Sequence, residues 1–423
     1  MYDQSFNENS LDREIRKSDF RKHRTLHDEH QRKKHVFDAC ERVKTGFIEQ
    51  DPFTISTIHG KAVCKLSSFS DELVLRKINT NIITLGKVRT TDRDSIVANV
   101  EALLAEGIQY RVFRLDIKSF YESISTIEIL DRIDSIKLLS LPTKRQVLEI
   151  LETYHASGHK GLPRGLSLSS TISELILLDF DKSISAHQEV FFFSRYVDDM
   201  IIITSGNENR RKFIKWIKTI LPDGLELNDK KQLIRERARI VKEKSAPPLL
   251  ITAASPSMNF EFLGYNFKVT DPLGNDAKKP RHVELDIAPT KIKKIKTRVA
   301  HSLIAYAKDR DYGLLIDRIS FLCSNFSVID ADRDRKRLAG IYHNYHRVLS
   351  EKSQALLLLD TYLSKIITSG CGKVSDAFFI HTTSRQRRQL LQWSFFRGHS
   401  KKVYIHFSES RLSEIQRCWK YVK

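Results

Sequence analysis

Two apolar runs, Val190–Phe193 and Met200–Thr204, enclose the polar stretch Ser194-Arg195-Tyr196-Val197-Asp198-Asp199. Aromatic and β-branched residues on both sides of a short acidic interruption read as a β-hairpin with adjacent acids at its turn. Burying carboxylates between apolar strands is costly unless they are paired or metal-bound, so such a hairpin calls for a cation. Asp is also an ordinary turn residue. A second run, Tyr110–Leu115, delivers Asp116 at its end, followed by Ile117-Lys118-Ser119-Phe120-Tyr121. Two strands that each offer an acid at the sheet rim suit a pair of Mg²⁺ ions about 3.5–4 Å apart, with Mn²⁺ as a substitute, an arrangement fit for phosphoryl transfer.

The rest of the chain alternates between helical and strand patterns. Residues 11–46 are crowded with Arg, Lys and His and read as a basic helical arm or a solvated helix face. From Ile55 to Ile83 the pattern is apolar and alternating, and Asp94–Glu106 has a helical period. Helical spacing recurs over Lys144–Tyr154, Ser167–Ile184 and 207–221, with Gly/Pro punctuation at Gly158–Gly165. Residues 235–258 read as a loop or insertion, and Phe260–Val269 as strand. After Asp271-Pro272-Leu273-Gly274-Asn275 the chain reads as helical and basic to about Ile367, and 368–423 mixes basic and aromatic residues. The divisions expected are 1–54, a basic extension; 55–270; 271–367; and 368–423.

The chain carries 71 Lys and Arg against 52 Asp and Glu, a formal charge of +19, which makes a polyanion the expected partner. Apolar runs fall far short of the ~18–20 residues of a membrane span, and the start of the chain has no secretory pattern. The expectation is a soluble cytoplasmic protein with no membrane partner. The five cysteines are isolated, with no zinc spacing, and read as reduced thiols.

Tyr196-Val197-Asp198-Asp199 resembles the Y-x-D-D box of reverse transcriptases, and Asp116–Tyr121 their first palm motif. In the same order, Gly161-Leu162-Pro163-Arg164-Gly165-Leu166-Ser167 resembles the motif that opens the long palm helix. Leu227-Asn228-Asp229-Lys230-Lys231 resembles the fourth motif with its lysine, and Phe262-Leu263-Gly264-Tyr265 the primer-grip hairpin. Arg164 stands where Gln is common in retroviral, retron and group II intron enzymes. The Pro-Arg-Gly form, with Ser167 and Glu174 following, is similar to bacterial abortive-infection and defence-associated reverse transcriptases. With Leu73–Ile82, Tyr342-His343-Asn344-Tyr345 and Cys418-Trp419, the pattern most resembles the smaller subunit of the type 3 antiviral system, in which two reverse transcriptases act with a non-coding RNA.

That resemblance implies an α+β right-hand polymerase: fingers and a palm with an antiparallel sheet, then a helical thumb and a small C-terminal appendage. Asp116, Asp198 and Asp199 would bind the metals, completed by the backbone carbonyl of Ile117. Tyr121 would be the sugar gate that rejects a ribose 2′-OH, while Pro163, Arg164 and Gly165 would border the incoming nucleotide. Lys231, with Lys230 as fallback, would protonate pyrophosphate. Arg76, Lys87, Arg89 and Arg93 are the candidate finger cations for the triphosphate, without one being singled out. Phe262, Leu263, Gly264 and Tyr265 would grip the primer end. In Thr290–Val299 the apolar positions 292, 295 and 299 pack, while Lys291, Lys293, Lys294, Lys296 and Arg298 follow a duplex backbone. Phe120 and Tyr342–His346 are read as packing.

The activity implied is RNA-directed DNA synthesis from dNTPs in bacterial antiviral defence. The implied partners are a non-coding RNA template, a DNA product or primer strand, a second reverse transcriptase subunit and further copies of the chain. Template-independent or protein-primed synthesis, initiated from a hydroxyl such as that of Tyr2, is the alternative at the same site. An RNA-binding scaffold with a vestigial palm is the alternative without catalysis.

Overall fold

The computed structural model describes residues 2–48, 52–58, 60–238, 257–272, 279–330 and 335–419. The chain forms two compact units, Met1–Val100 with Ile108–Ile240, and Glu101–Gly107 with Val241–Lys423. Most of the segment read as a loop or insertion, 235–258, lies outside the described residues.

The first unit opens with helices α1 (Glu8–Asp12), α2 (Asp19–Lys22) and α3 (Glu29–Thr45). Asn7 and Ser10 cap α1 reciprocally, and Asp28 caps α3. This segment is not a free basic arm. Its thinly spaced apolar residues Leu11, Leu26, Val36 and Ala39 are buried in the main core. A hairpin follows, β1 (Phe53–Ile58) and β2 (Lys61–Leu66), then helices α4 (Phe69–Leu85) and α5 (Arg93–Leu104). The alternation expected through Ile83 therefore ends at Ser68, whose hydroxyl accepts from Asp71 N and starts a helix that is buried on most sides.

The palm sheet is built from β3 (Tyr110–Asp116), β4 (Val190–Tyr196), β5 (Asp199–Thr204) and β6 (Leu233–Arg237), in the order β4-β5-β3-β6 with every pairing antiparallel. Between β3 and β4 run α6 (Phe120–Ser123), α7 (Thr126–Ser135), α8 (Leu141–Ala156), α9 (Ser167–Ile176) and α10 (Leu178–Ser185). The helix expected over 167–184 is thus interrupted at Leu177. Strand residues alternate faces, and Phe113, Leu115, Met200 and Ile202 share the face that joins the core with Leu168, Ile172 and Leu175 of α9. Helix α11 (Arg210–Ile220) buries Phe213 and Ile217 in the same core, the Phe213 ring 5.1 Å from that of Phe113.

The second unit begins with the antiparallel sheet β7 (Ser257–Phe262), β8 (Tyr265–Thr270) and β9 (His282–Ile287). It continues with α12 (Pro289–Asp309), α13 (Tyr312–Cys323), the hairpin β10 (Asn325–Asp330) and β11 (Arg335–Gly340), and α14 (Gln354–Thr368). The segment 271–367, expected to be helical and basic, also contains β9 and the β10–β11 hairpin. The cluster Arg335-Lys336-Arg337 hides strand character because its side chains are exposed. Four short helices complete the unit: α15 (Lys373–Phe379), α16 (Ser384–Leu390), α17 (Phe395–Ser400) and α18 (Glu409–Arg417). They are seated firmly: Trp419 Nε1 donates to the Arg298 carbonyl at 2.9 Å and Tyr306 donates to the His381 carbonyl at 2.9 Å. Among the described residues, no helix is long and apolar enough to cross a membrane.

Candidate active site

The acids meet at one end of the palm sheet because register places them there. Asp116, the last residue of β3, lies directly opposite Asp199, the first of β5. Tyr196 closes the β4–β5 hairpin against Asp199, leaving Val197 and Asp198 as a two-residue turn. Val197 has φ +60°, a left-handed value that β-branched side chains avoid. The buried Arg195 restrains this turn, donating to the Val197 carbonyl at 3.0 Å. The same guanidinium binds Glu174 on α9 at 2.7 and 3.0 Å and Asp181 on α10 at 2.8 and 3.1 Å. From the other side, Ile117 N donates to the Asp198 carbonyl at 3.2 Å.

Each carboxylate has a different environment. Burial raises the pKa of Asp198, and the neighbouring charges of Asp116 and Asp199 raise it further. Burial also raises Asp199, but Arg114 binds its two oxygens at 3.0 and 2.9 Å. Arg114 lies two residues before Asp116 and so on the same face of β3. Asp116 accepts from Lys231 Nζ at 2.9 and 3.0 Å and from Asn228 Nδ2 at 3.0 Å. The segment carrying Asn228 and Lys231 is fixed to the strand by an Ile117–Leu227 bridge and by Asn228 N donating to the Asp116 carbonyl at 2.7 Å.

Among the described residues, no three His, Cys, Asp or Glu side chains gather at metal-holding distance. Asp199 is engaged by Arg114. Asp116 and Asp198 remain as a like-charged pair partly offset by the Lys231 ammonium. An all-oxygen donor set with surplus negative charge fits a hard divalent cation such as Mg²⁺.

Tyr121 lies half-buried on α6, its ring 5.3 Å from that of Phe120, which is fully buried as packing. Arg164 places its guanidinium carbon 5.0 Å from the Tyr121 ring centroid and binds Glu122 at 3.0 and 3.2 Å. Pro163 is buried, its carbonyl accepting from Ser169 Oγ at 2.7 Å. Gly165 has φ +104°, and a β-carbon there would lie 2.6 Å from the Cys64 carbonyl oxygen. Close passage of β2, which also pairs through Cys64 N to the Arg164 carbonyl at 2.7 Å, thus already requires this glycine.

Among the finger cations, Arg76 is corrected. It is buried between Asp19, at 2.6 and 2.9 Å, and Glu72, and it also donates to the Glu14 carbonyl at 3.0 Å, so it holds the N-terminal helices onto α4. Lys87 and Arg89 are exposed, and Arg93 opens α5 half-exposed.

In the second unit, Leu263 (φ +46°) and Gly264 (φ +85°) form the two-residue turn between β7 and β8. Phe262 and Tyr265 are buried there, the Tyr265 ring 5.8 Å from that of Tyr345. On α12, Lys291, Lys293 and Lys294 are exposed. Lys296 lies 5.3 Å from the Tyr362 ring and Arg298 5.5 Å from the Trp419 ring, so these two cations also cover aromatic surface. Arg114, Glu122, Asp181, Arg195 and Asn228 were not singled out in the sequence. Arg114 and Arg195 had a readable signal, each being a cation inside an apolar strand next to the acids.

The family model described as reverse transcriptase (RNA-dependent DNA polymerase) matches residues 69–267, the stretch that carries all three acids and Lys231. No curated protein matches the chain. Among solved structures, apo telomerase from Candida tropicalis is similar at 12% identity and a TM-score of 0.37, over 88% of this chain and 65% of that one. Telomerase from Candida albicans, in complex with a TWJ fragment of telomeric RNA, is similar at 11% identity and a TM-score of 0.31, over 82% of this chain and 53% of that one. The chain thus spans between about half and two thirds of the length of these telomerase chains. Together, the palm sheet, the acids at its end and the family match give residues 69–267 the right-hand polymerase fold and a likeness to reverse transcriptases.

Proposed function

We propose that the protein is an RNA-directed DNA polymerase of bacterial antiviral defence, copying an associated non-coding RNA into DNA. The observation that carries the polymerase reading is the placement of Asp116 opposite Asp199 at the end of the β3–β5 ladder, with Lys231 Nζ 2.9 Å from Asp116 Oδ1, in a stretch similar to reverse transcriptases. Asp116, Asp198 and the carbonyl of Ile117 would hold Mg²⁺, with Asp199 joining on release from Arg114. When bound, two such ions supply an activated 3′-hydroxyl and charge neutralisation at the leaving oxygen. Lys231 keeps an ammonium beside the reacting phosphates and is the residue positioned to protonate pyrophosphate. Tyr121 selects the sugar, and Lys87, Arg89 and Arg93 bind the triphosphate. The exposed lysines of α12 follow the template–product duplex without reading its sequence.

The defence assignment is supported by the Pro163-Arg164-Gly165 form and the fingers resemblance. It carries with it a second reverse transcriptase subunit, self-association and a bacterial cytoplasmic location. Protein priming from Tyr2 is disfavoured by one interaction: its hydroxyl already donates to Asn81 Oδ1 at 2.9 Å.

Primer extension by the purified protein, with Mg²⁺, dNTPs and its co-purifying RNA, tests the polymerase reading. DNA complementary to that RNA is expected, and Asp198→Ala should abolish it. An inactive wild type, or activity that survives Asp198→Ala, overturns it. A product that ignores changes in the RNA would establish template-independent synthesis instead. Phage plating on cells carrying wild type or Asp198→Ala tests the defence role, with protection expected only from the wild type.

A further inference from the structure

Tyr121 is held from several directions. Its carbonyl accepts from Leu162 N at 2.8 Å, and a β-carbon at Gly161 would lie 2.1 Å from that oxygen, so the 161–166 loop sits directly on the tyrosine backbone. Phe120 packs beside the ring, its centroid 5.3 Å away. The remaining neighbour is Arg164, with its guanidinium carbon 5.0 Å from the ring centroid.

That guanidinium is paired with Glu122. Nε and Nη2 donate to Glu122 Oε1 at 3.2 and 3.0 Å, and Nη2 also reaches Oε2 at 3.2 Å. A multidentate Arg–carboxylate pair fixes the plane of the guanidinium as well as its position. Glu122 adjoins Tyr121 on α6, whereas Arg164 comes from the loop before α9, so the pair joins two separate segments over the tyrosine face. A planar cation held over a phenol ring is attracted by its quadrupole. The glutamine common at this place in related enzymes has no cation to lay on the ring.

We propose that Arg164, held by Glu122, is a positioning residue for the Tyr121 ring, so that discrimination against ribonucleotides depends on the Arg164–Glu122 pair as well as on the tyrosine. This rests on the reading of Tyr121 as the sugar-selecting residue. A steric gate discriminates only as well as its ring is immobilised, because a ring that can tilt makes room for a 2′-hydroxyl. The pair thereby replaces a direct role for Arg164 at the nucleotide with one exercised through Tyr121.

The test is the ratio of kcat/KM for dNTP over the matching rNTP, on one primer–template, for wild type, Tyr121→Ala, Arg164→Ala, Arg164→Gln and Glu122→Gln. Arg164→Ala is expected to lower the ratio about tenfold, chiefly by improving rNTP use. Arg164→Gln, which keeps a donor for Glu122 but no cation, and Glu122→Gln should each give a smaller loss in the same direction. In a Tyr121→Ala background, Arg164→Ala should change the ratio no further, since coupled residues are not additive. An unchanged ratio in Arg164→Ala, beside a collapsed ratio in Tyr121→Ala, overturns the positioning role. So does an equal rise in KM for both sugars, which would mark Arg164 as a phosphate ligand. An unchanged ratio in Tyr121→Ala itself sinks the underlying gate reading, a separately recognisable result. Thermal melting of each variant excludes unfolding as the cause, and Arg164→Gln preserves the test if Arg164→Ala does not fold.

Discussion

Arg195 donates a hydrogen bond to the carbonyl of Val197 at 3.0 Å, tying a buried, doubly ion-paired cation to the strained residue that precedes Asp198. A lysine at 195 carries the charge but cannot span Glu174, Asp181 and the carbonyl together. Arg195→Lys should therefore lower kcat roughly tenfold with little change in dNTP KM, because the turn carrying Asp198 loses its alignment. Arg195→Met should cost about 3–5 kcal/mol of stability, since it strands two carboxylates. Steady-state kinetics and chemical denaturation separate the two effects.

Asp198 is a half-buried acid whose pKa is raised by burial and by two neighbouring carboxylates. Its charge works against folding when no cation is bound. Asp198→Asn should abolish synthesis yet raise the melting temperature of the metal-free protein. Added Mg²⁺ should stabilise the wild type more than the variant. Differential scanning fluorimetry with and without Mg²⁺ measures both.

The Asp19–Arg76 pair should be structural and silent in catalysis. Asp19→Ala leaves Arg76 without its bidentate partner and should cost about 3 kcal/mol, with dNTP KM unchanged. Burial by itself would raise Asp19, but its bonds to Arg76 and to Arg16 N outweigh this and hold it below the ordinary carboxylate value. A depressed folded-state pKa means stability that is present above the unfolded value, near pH 4, and lost as pH falls through the folded one. The gap between wild type and Asp19→Asn in urea denaturation should accordingly narrow as pH is lowered below about 4.

Gly165→Ala meets two obstacles, a φ of +104° and a carbonyl oxygen 2.6 Å from the new β-carbon. A loss of about 2 kcal/mol or more is expected. Proteolysis should reveal it first in the β1–β2 hairpin, which packs on that loop through Cys64.

On α12, replacing the exposed Lys291, Lys293 and Lys294 by Ala should flatten the salt dependence of hybrid-duplex binding, by about 0.7–0.9 in slope for each phosphate that is no longer neutralised. Lys296→Ala, which removes a cation lying 5.3 Å from Tyr362, should alter the slope less than its melting temperature. Binding titrations across a salt series distinguish the two kinds of lysine.

What was legible in the sequence was whatever period and order alone determine. The apolar runs Val190–Phe193 and Met200–Thr204 located the hairpin, and the approach of Asp116 to the turn followed from the family pattern. Partners chosen by tertiary packing were not legible. Arg76 looked like a finger cation because no local rule shows that Asp19, far away in sequence, closes on it. Asp199 looked free because its competitor, Arg114, reaches it across the β3–β5 ladder. Strands β10 and β11 were missed because the exposed cluster Arg335-Lys336-Arg337 carries no apolar alternation.

Residues Glu101–Gly107 belong to the second unit although the sequence on both sides of them belongs to the first. Arg281 N donates to the Ala105 carbonyl at 2.8 Å, and Arg347 pairs with Glu101 at 3.1 Å. On the ribosome these seven residues emerge long before Arg281 and Arg347 have been made. The later unit can close only on a piece of chain made well before the rest of it. No single cut will therefore separate the two: a fragment starting at Val241 lacks a segment it folds upon, and one ending at Ile240 carries that segment with nothing to receive it.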